Sequence, residues 1–176
     1  MPSWILAVAL VFGAPLEVRP AEGAIRFEAS STLHSFAGSA ASWSGRLDPE
    51  RGTGTLVVDA TTLTTGLGPR DARMRDTCLE VGRFPEIRFD VSSIEGEPAL
   101  LRGGPGGGGV TLVGMLTIRD VARPVRVPAQ LTWESGAARL KGRVGLAWAD
   151  FGIPDPSVLL SAMSPGVDVV FDVLAG

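Results

Sequence analysis

The residues able to do chemistry in this chain are few. There is one histidine, His34, and one cysteine, Cys78. His34 stands close to Ser30, Ser31 and Ser35, and with a carboxylate such a set could build a hydrolytic Ser-His-Asp site. That arrangement is spatial, however, and no G-x-S-x-G nucleophile elbow accompanies it, so His34 reads as a structural histidine or a polar group at a barrel mouth. Asp59, Asp150, Asp168 and Asp172 offer carboxylates for general acid–base work, but Asp168 and Asp172 share the outward phase of the last strand and read as a solvated face. One cysteine with one histidine excludes zinc sites built from Cys and His, and a lone cysteine forms no intrachain disulfide. The glycine-rich run at residues 102–109 lacks a G-K-[ST] ending and opens no helix, so it reads as a loop tip rather than a phosphate cradle. No catalytic residue, metal ligand or resident cofactor is assigned.

The segment that must position the remaining polar groups runs from Thr64 to Phe89. Pro69 follows Gly68 at a helix start, where proline is favoured, and Asp71 falls in the first turn, where a carboxylate suits the helix dipole. Asp71 and Arg75 are spaced i,i+4, and so are Met74 and Cys78, with Val81 on the same apolar face. Gly82 is expected to end the helix, and Pro85 prevents its resumption. Arg70 and Asp71 read first as fastenings of the helix to its surroundings, with Arg70 as an alternative contact for a ligand headgroup. Cys78, on the apolar face, reads as an inert core thiol.

Nearly everything else alternates with period two, the strand signature. Ile25, Phe27 and Ala29 form one such set, Ile87, Phe89 and Val91 another, and the pattern continues through Val110–Ile118, Val125–Trp133, Leu140–Trp148 and Val167–Val173. Turn chemistry separates the runs at Asp48–Gly52, Arg119–Asp120 and Glu134–Gly136. One apolar and one polar face is the mark of antiparallel sheet over a core. Eight or nine such strands with short hairpins suit a closed barrel or a sandwich, and periodicity does not separate the two. The inward set has small members, Gly114, Ala129 and Gly142, that could leave room for a ligand.

At 176 residues, with 45% hydrophobic residues, the chain is one domain's worth and can bury roughly 70% of its unfolded surface without staples. Sixteen Lys and Arg stand against nineteen Asp and Glu, a net charge of -3. That balance excludes a basic nucleic-acid face and a polybasic membrane patch. The uninterrupted apolar run Trp4–Phe12 is too short to span a bilayer but has the length of a secretory h-region, although no Lys or Arg precedes it. Residues 1–23 are therefore expected to be an export leader and 24–176 the folded domain, with no membrane span after processing and a periplasmic or secreted location.

Four ordered blocks now carry a family resemblance. They are Leu63-Thr64-Thr65-Gly66 with Arg70-Asp71, Phe84-Pro85-Glu86-Ile87-Arg88-Phe89, the run from Gly114 to Val125, and Asp150-Phe151-Gly152-Ile153. Together they resemble the YceI-like family from Ala24 to the C-terminus. The resemblance implies an extended antiparallel, eight-stranded, lipocalin-like barrel with one short α-helix near its mouth. It implies an apolar channel that holds a polyisoprenoid or quinone-type lipid, with no catalytic residues, and it leaves a homodimer open. Two departures stand out. Thr32-Leu33-His34-Ser35-Phe36 replaces the commoner opening, and Trp148-Ala149 stands where the family usually places an arginine.

Phe27, Phe36, Trp43, Val58, Met74, Cys78, Phe89, Leu116, Trp133, Leu146 and Trp148 are the expected channel wall, with His34 and Arg70 as polar contacts at the mouth. Burying roughly ten methylene equivalents at about 0.8 kcal/mol each gives a gross 8 kcal/mol. That corresponds to roughly micromolar affinity with no polar anchor. The expected function is thus non-catalytic carriage or sequestration of a long apolar molecule. A filled barrel acting through its surface is the first rival, and an enzyme of unrecognised type the second.

Overall fold

The computed structural model describes residues 14–104, 106–157 and 162–176. The expected h-region, Trp4–Phe12, lies outside them, but Leu16–Glu17 of the expected leader pairs into the sheet, so the folded part begins before Ala24. Ten strands form one antiparallel sheet: β1 (Leu16–Glu17), β2 (Ala24–Ser30), β3 (Ser35–Ser39), β4 (Trp43–Asp48), β5 (Thr53–Asp59), β6 (Glu86–Glu95), β7 (Gly107–Ile118), β8 (Val121–Glu134), β9 (Ala137–Ala147) and β10 (Gly166–Ala175). Their order is β1-β4-β5-β6-β7-β8-β9-β10-β2-β3. The count exceeds the expected eight through β1 and β3, which are two and five residues long.

The sheet curls until its edges meet. Near one end, Val18 bridges Ala175, Val18 N–H donates to Gly45 O (2.9 Å) and Arg19 N–H to Leu174 O (2.7 Å), so the β1 segment links β4 to β10. At the other end Ser39 pairs with Thr64 across the remaining seam. Closure of this kind leaves little free strand edge.

The predicted hairpins occur where turn residues stand. Arg119 (φ 58°) and the Ser135-Gly136 pair (φ 51° and 87°) take the left-handed backbone that tight hairpins require. Pro124 sits exposed within β8, opposite Met115. One loop reading needs correction. Gly107, Gly108 and Gly109 are not loop but the first residues of β7, paired with Thr132, Leu131 and Gln130. A short helix, α2 (Pro98–Leu101), precedes them.

The helix in the 64–89 segment is real but changes type. It starts as α1 (Gly68–Ala72) and continues as a π-helical turn over Arg73–Cys78, closed by Leu79 N–H to Met74 O (2.9 Å). It stops four residues before Gly82, and Glu80, at φ 49°, supplies the left-handed residue expected of that glycine. A π turn is uncommon, and such turns recur at functional sites.

Strand phase sorts the sheet's two faces. The outward charges pair across strands, as in Arg139–Asp172 (2.8 Å), Arg143–Asp168 (3.0 Å) and Arg126–Glu95 (2.5 Å), or along one strand, as in Arg88–Asp90 of β6 (2.8 Å). Asp168 and Asp172 thus lie on the outside, as their phase implied. Exposed pairs of this kind add little stability each. Inward residues divide by height. Toward β1 and α2 they form a tight cluster with Leu47, Ile94, Val110, Ala129, Leu131 and Ala138, and Leu131 is 1% exposed. Toward the α1 end the interior is open.

Candidate functional site

The open half is a cavity of about 570 Å³, within the ~300–1,000 Å³ typical of small-molecule sites. Apolar side chains from nine strands, β2 to β10, make its wall. Its floor is set by Leu112, Val127 and Leu140, which belong to the packed cluster. It reaches the surface between the β2–β3 turn and the start of α1, where the lining residues His34, Leu67, Pro69 and Arg73 are exposed. Inward residues such as Phe27, Leu56, Phe89, Leu146 and Phe171 are only half-buried, because they face the void.

The structure places Phe27, Phe36, Val58, Met74, Cys78, Phe89, Leu116, Leu146 and Trp148 on this wall, with His34 and Arg70 at its opening. Trp43 and Trp133 are not on it. Trp43 is packed among buried residues of the α1 end, 8% exposed. Trp133 lies beyond the floor, where its Nε1–H donates to Leu100 O of α2 (2.7 Å). Val81, expected to share the ligand-facing side of the helix, packs against the same buried cluster as Trp43. Nor do the glycine gaps make the room. Phe171 lies across from Gly142 so closely that a Cβ there would come within 2.5 Å of its ring. Gly114 instead admits the Asp90 backbone at 2.1 Å from such an atom.

Several lining residues escaped the sequence reading. Val169 and Phe171 carry the alternating phase that could have found them. Phe151 and Ile153 sit in the Asp150–Ile153 block, turned inward by Gly152 (φ 62°) and by Ile153 N–H donating to Trp148 O (3.1 Å). Arg73 had no such signal, since it reaches the cavity from the π turn.

At the mouth Thr64, Thr65, Arg70 and Asp71 form one connected set. Asp71 is 4% exposed and accepts from Thr64 Oγ1 (2.6 Å), Thr65 Oγ1 (2.5 Å) and Thr65 N–H (2.8 Å). Burial alone would raise its pKa, but these hydrogen bonds and the charge of Arg75 prevail and hold the carboxyl below its ordinary value. Arg70 donates from Nε to Thr65 Oγ1 (2.7 Å) and from Nη2 to Thr65 O (3.2 Å), and its guanidinium lies 4.1 Å from the centre of the Phe36 ring. Arg73 Nη2 donates to Ser157 O (3.2 Å). The far end of the helix is tied as well. Arg119 pairs with Glu80 (2.5 Å) and donates to Gly152 O (2.8 Å). Arg70 and Asp71 therefore fasten the helix, as their positions suggested, while Arg70 also borders the cavity.

His34 and the serines do not assemble a nucleophile. Ser31 Oγ donates to the His34 carbonyl (3.0 Å) and accepts from His34 N–H (3.3 Å), so its partner is backbone and not imidazole. The ring of His34 instead sits 6.3 Å from that of Phe36. Ser30 Oγ is bonded to Ser164 Oγ (2.6 Å). Burial raises the Cys78 pKa against the opposing charges of Arg73 and Arg119, so the thiol is kept protonated at neutral pH. Among the described residues no group of His, Cys, Asp and Glu could hold a metal ion, and no helix is long and apolar enough to cross a membrane.

An antiparallel barrel closed by packing at one end and hollow at the other, with a helix across part of the opening, is lipocalin-like in class. The chain belongs to the YceI-like domain family, whose model matches residues 16–175. Solved structures agree on the fold. Burkholderia cenocepacia BcnA is 18% identical with a TM-score of 0.76, over 90% of this chain and 99% of its own. A polyisoprenoid binding domain from Saccharophagus degradans, implicated in plant cell wall breakdown, is 18% identical with a TM-score of 0.77, over 90% and 96%. The Campylobacter jejuni YceI protein is 16% identical with a TM-score of 0.60, over 78% and 82%. A comparison with curated proteins returns no match.

Proposed function

We propose that this chain binds and carries, or sequesters, a long apolar molecule of polyisoprenoid or quinone-tail type, without catalysing a reaction, and that it does so after export. The observation that carries the reading is the cavity of about 570 Å³, apolar in its wall and open at the α1 end. A wall of this kind favours any chain that leaves water, by about 25 cal/mol per Å² of apolar surface buried. The Saccharophagus neighbour, described as polyisoprenoid binding, supports the tail type, and the apolar run Trp4–Phe12 supports export. The filled-barrel rival loses ground because the packed region stops at Leu112, Val127 and Leu140. The enzyme rival loses ground because the Ser31 hydroxyl is engaged by the His34 backbone.

Native mass spectrometry of protein expressed in its natural host tests the reading, together with titration of quinone-like chains followed by Trp148 fluorescence. A co-purifying lipid, or saturable binding that Leu116→Trp abolishes by filling the cavity, is the expected result. If no lipid co-purifies and no such chain binds, carriage is ruled out.

A further inference from the structure

Among the described residues three large apolar side chains stand well exposed: Leu33, Leu67 and Met115. Single leucines in water are ordinary. Their placement here is not, because two of the three flank the opening of the cavity. Leu33, 68% exposed, tips the β2–β3 turn, and Leu67, 52% exposed, stands across from it just before α1.

Both are held outward by their backbone. Ser31 Oγ accepts from the N–H groups of Leu33 (3.4 Å) and His34 (3.3 Å), and Thr32 N–H donates to Ala162 O (2.9 Å). On the other side, the Asp71 carboxylate grips Thr64 and Thr65, and Asp71 N–H donates to Leu67 O (2.9 Å). A Cβ at Gly66 or Gly68, the neighbours of Leu67, would meet open space, so Leu67 caps a bare projection. The charge at the opening has one sign. No Asp or Glu among the described residues lines the cavity, whereas Arg70 and Arg73 border it from the α1 segment.

A tail that leaves a bilayer through water is slowed roughly fourfold for each methylene it exposes, and about a millionfold for ten. A carrier whose opening touches the bilayer avoids that step. Apolar side chains set into the headgroup boundary, with cations beside them, let a protein lie on a bilayer without spanning it. At a net charge of -3 the chain as a whole gains no broad attraction to such a surface, so the contact falls to the leucines and the local cations.

On the reading that the cavity holds an apolar tail, we infer that the rim between Leu33 and Leu67 docks on a phospholipid bilayer, and that the tail passes directly between membrane and cavity. The two leucines enter the headgroup boundary on either side of the opening, with the positive rim turned toward the phosphate layer. Met115, exposed on β7 and absent from the cavity lining, takes no part.

The test is stopped-flow transfer of geranylgeranyl anthraniloate from phosphatidylcholine–phosphatidylglycerol vesicles that also hold a quenching lipid. The rate is expected to rise in proportion to protein concentration, as contact requires. Leu33→Ser should slow it roughly tenfold without changing the final extent of uptake. Leu67→Ser should slow it as well, and Met115→Ser should leave it unchanged. A rate independent of protein concentration in the unmodified protein overturns docking while leaving carriage standing, and needs no variant to fold. A concentration-dependent rate that neither leucine variant alters overturns the assignment to this rim. If nothing transfers, carriage falls, and flotation of the tail-free protein with the same vesicles decides docking by itself. Flotation that Leu33→Ser abolishes supports it, and absence of flotation overturns it.

Discussion

The two ends of this barrel are built from the same kind of sequence and do opposite things. At the β1 end, inward residues are packed tight: Leu131 and Ala138 are each at most 1% exposed. At the α1 end, inward residues of the same strands, Leu116, Val125 and Leu146 among them, stay half-buried around a void. The difference is not one of hydrophobicity. The β1 end is drawn shut by a short crossing segment and by α2, with Trp133 bonded to Leu100 O. The α1 end is held apart by a helix fastened to the rim at both of its ends. Close packing is concentrated at the end away from the cavity, and the open half depends on its polar fastenings.

The largest effect should come from removing the closing segment. A chain starting at Ala24 lacks Val18 N–H to Gly45 O, Arg19 N–H to Leu174 O and the Glu17 O acceptor for Gly176 N–H. At about 1 kcal/mol for each bond plus lost packing, the loss should exceed ~3 kcal/mol by chemical denaturation. A truncated chain as stable as one starting at Ala14 would show that closure at the β1 end is ornamental.

Next in size is a pair of deletions at two heights. Leu131→Ala should cost about 3 kcal/mol because a packed site cannot collapse. Leu116→Ala, which only widens an existing void, should cost nearer 1 kcal/mol. Equal costs would erase the distinction between a packed and a hollow half.

The rim fastening comes third. Asp71→Asn leaves the Thr64 and Thr65 donors with a poorer acceptor and should cost about 2 kcal/mol at neutral pH. The sign with pH follows from the lowered carboxyl. The unfolded chain binds the proton more readily than the folded one, so the contribution is complete above the ordinary value of 3.8 and disappears as pH falls through the folded value. The gap between wild type and Asp71→Asn should therefore close in acid. A gap that persists at the lowest pH would show that the carboxylate charge is not what ties the helix.

The smallest effect concerns Cys78, whose protonated thiol borders the cavity from the helix. Native protein should react with a polar thiol reagent at least tenfold more slowly than unfolded protein, and a bound apolar ligand should slow it further. Labelling as fast as in the unfolded chain would place the thiol outside the hollow half.

How much of this was legible follows from what periodicity encodes. Alternation gives the face of a strand, and it put Phe27, Phe89, Leu116 and Leu146 indoors. It does not give height along the barrel, which register and closure decide. That is why Trp133, with the same phase as Val125, lies beneath the floor and not on the wall. Small residues were read as space, yet Gly142 is matched by the ring of Phe171, its partner in the β9–β10 register. The helix start was legible through Pro69 and Asp71. Its π turn was not, because Arg73–Cys78 contains nothing that local propensity would distinguish from α. β1 was out of reach altogether, since two residues carry no period.

The bonds that close the β1 end also join the two ends of the described fold. Gly176 N–H donates to Glu17 O (2.9 Å), and Arg19 Nε to Gly176 O (3.2 Å). Both ends of the fold therefore emerge side by side at the pole opposite the opening. A tag, a surface tether or a fusion partner attached at either terminus would hold the molecule by its base, with its opening turned outward. Joining the two termini with a short linker and cutting a hairpin elsewhere should preserve the hollow half, which makes the fold a natural candidate for circular permutation.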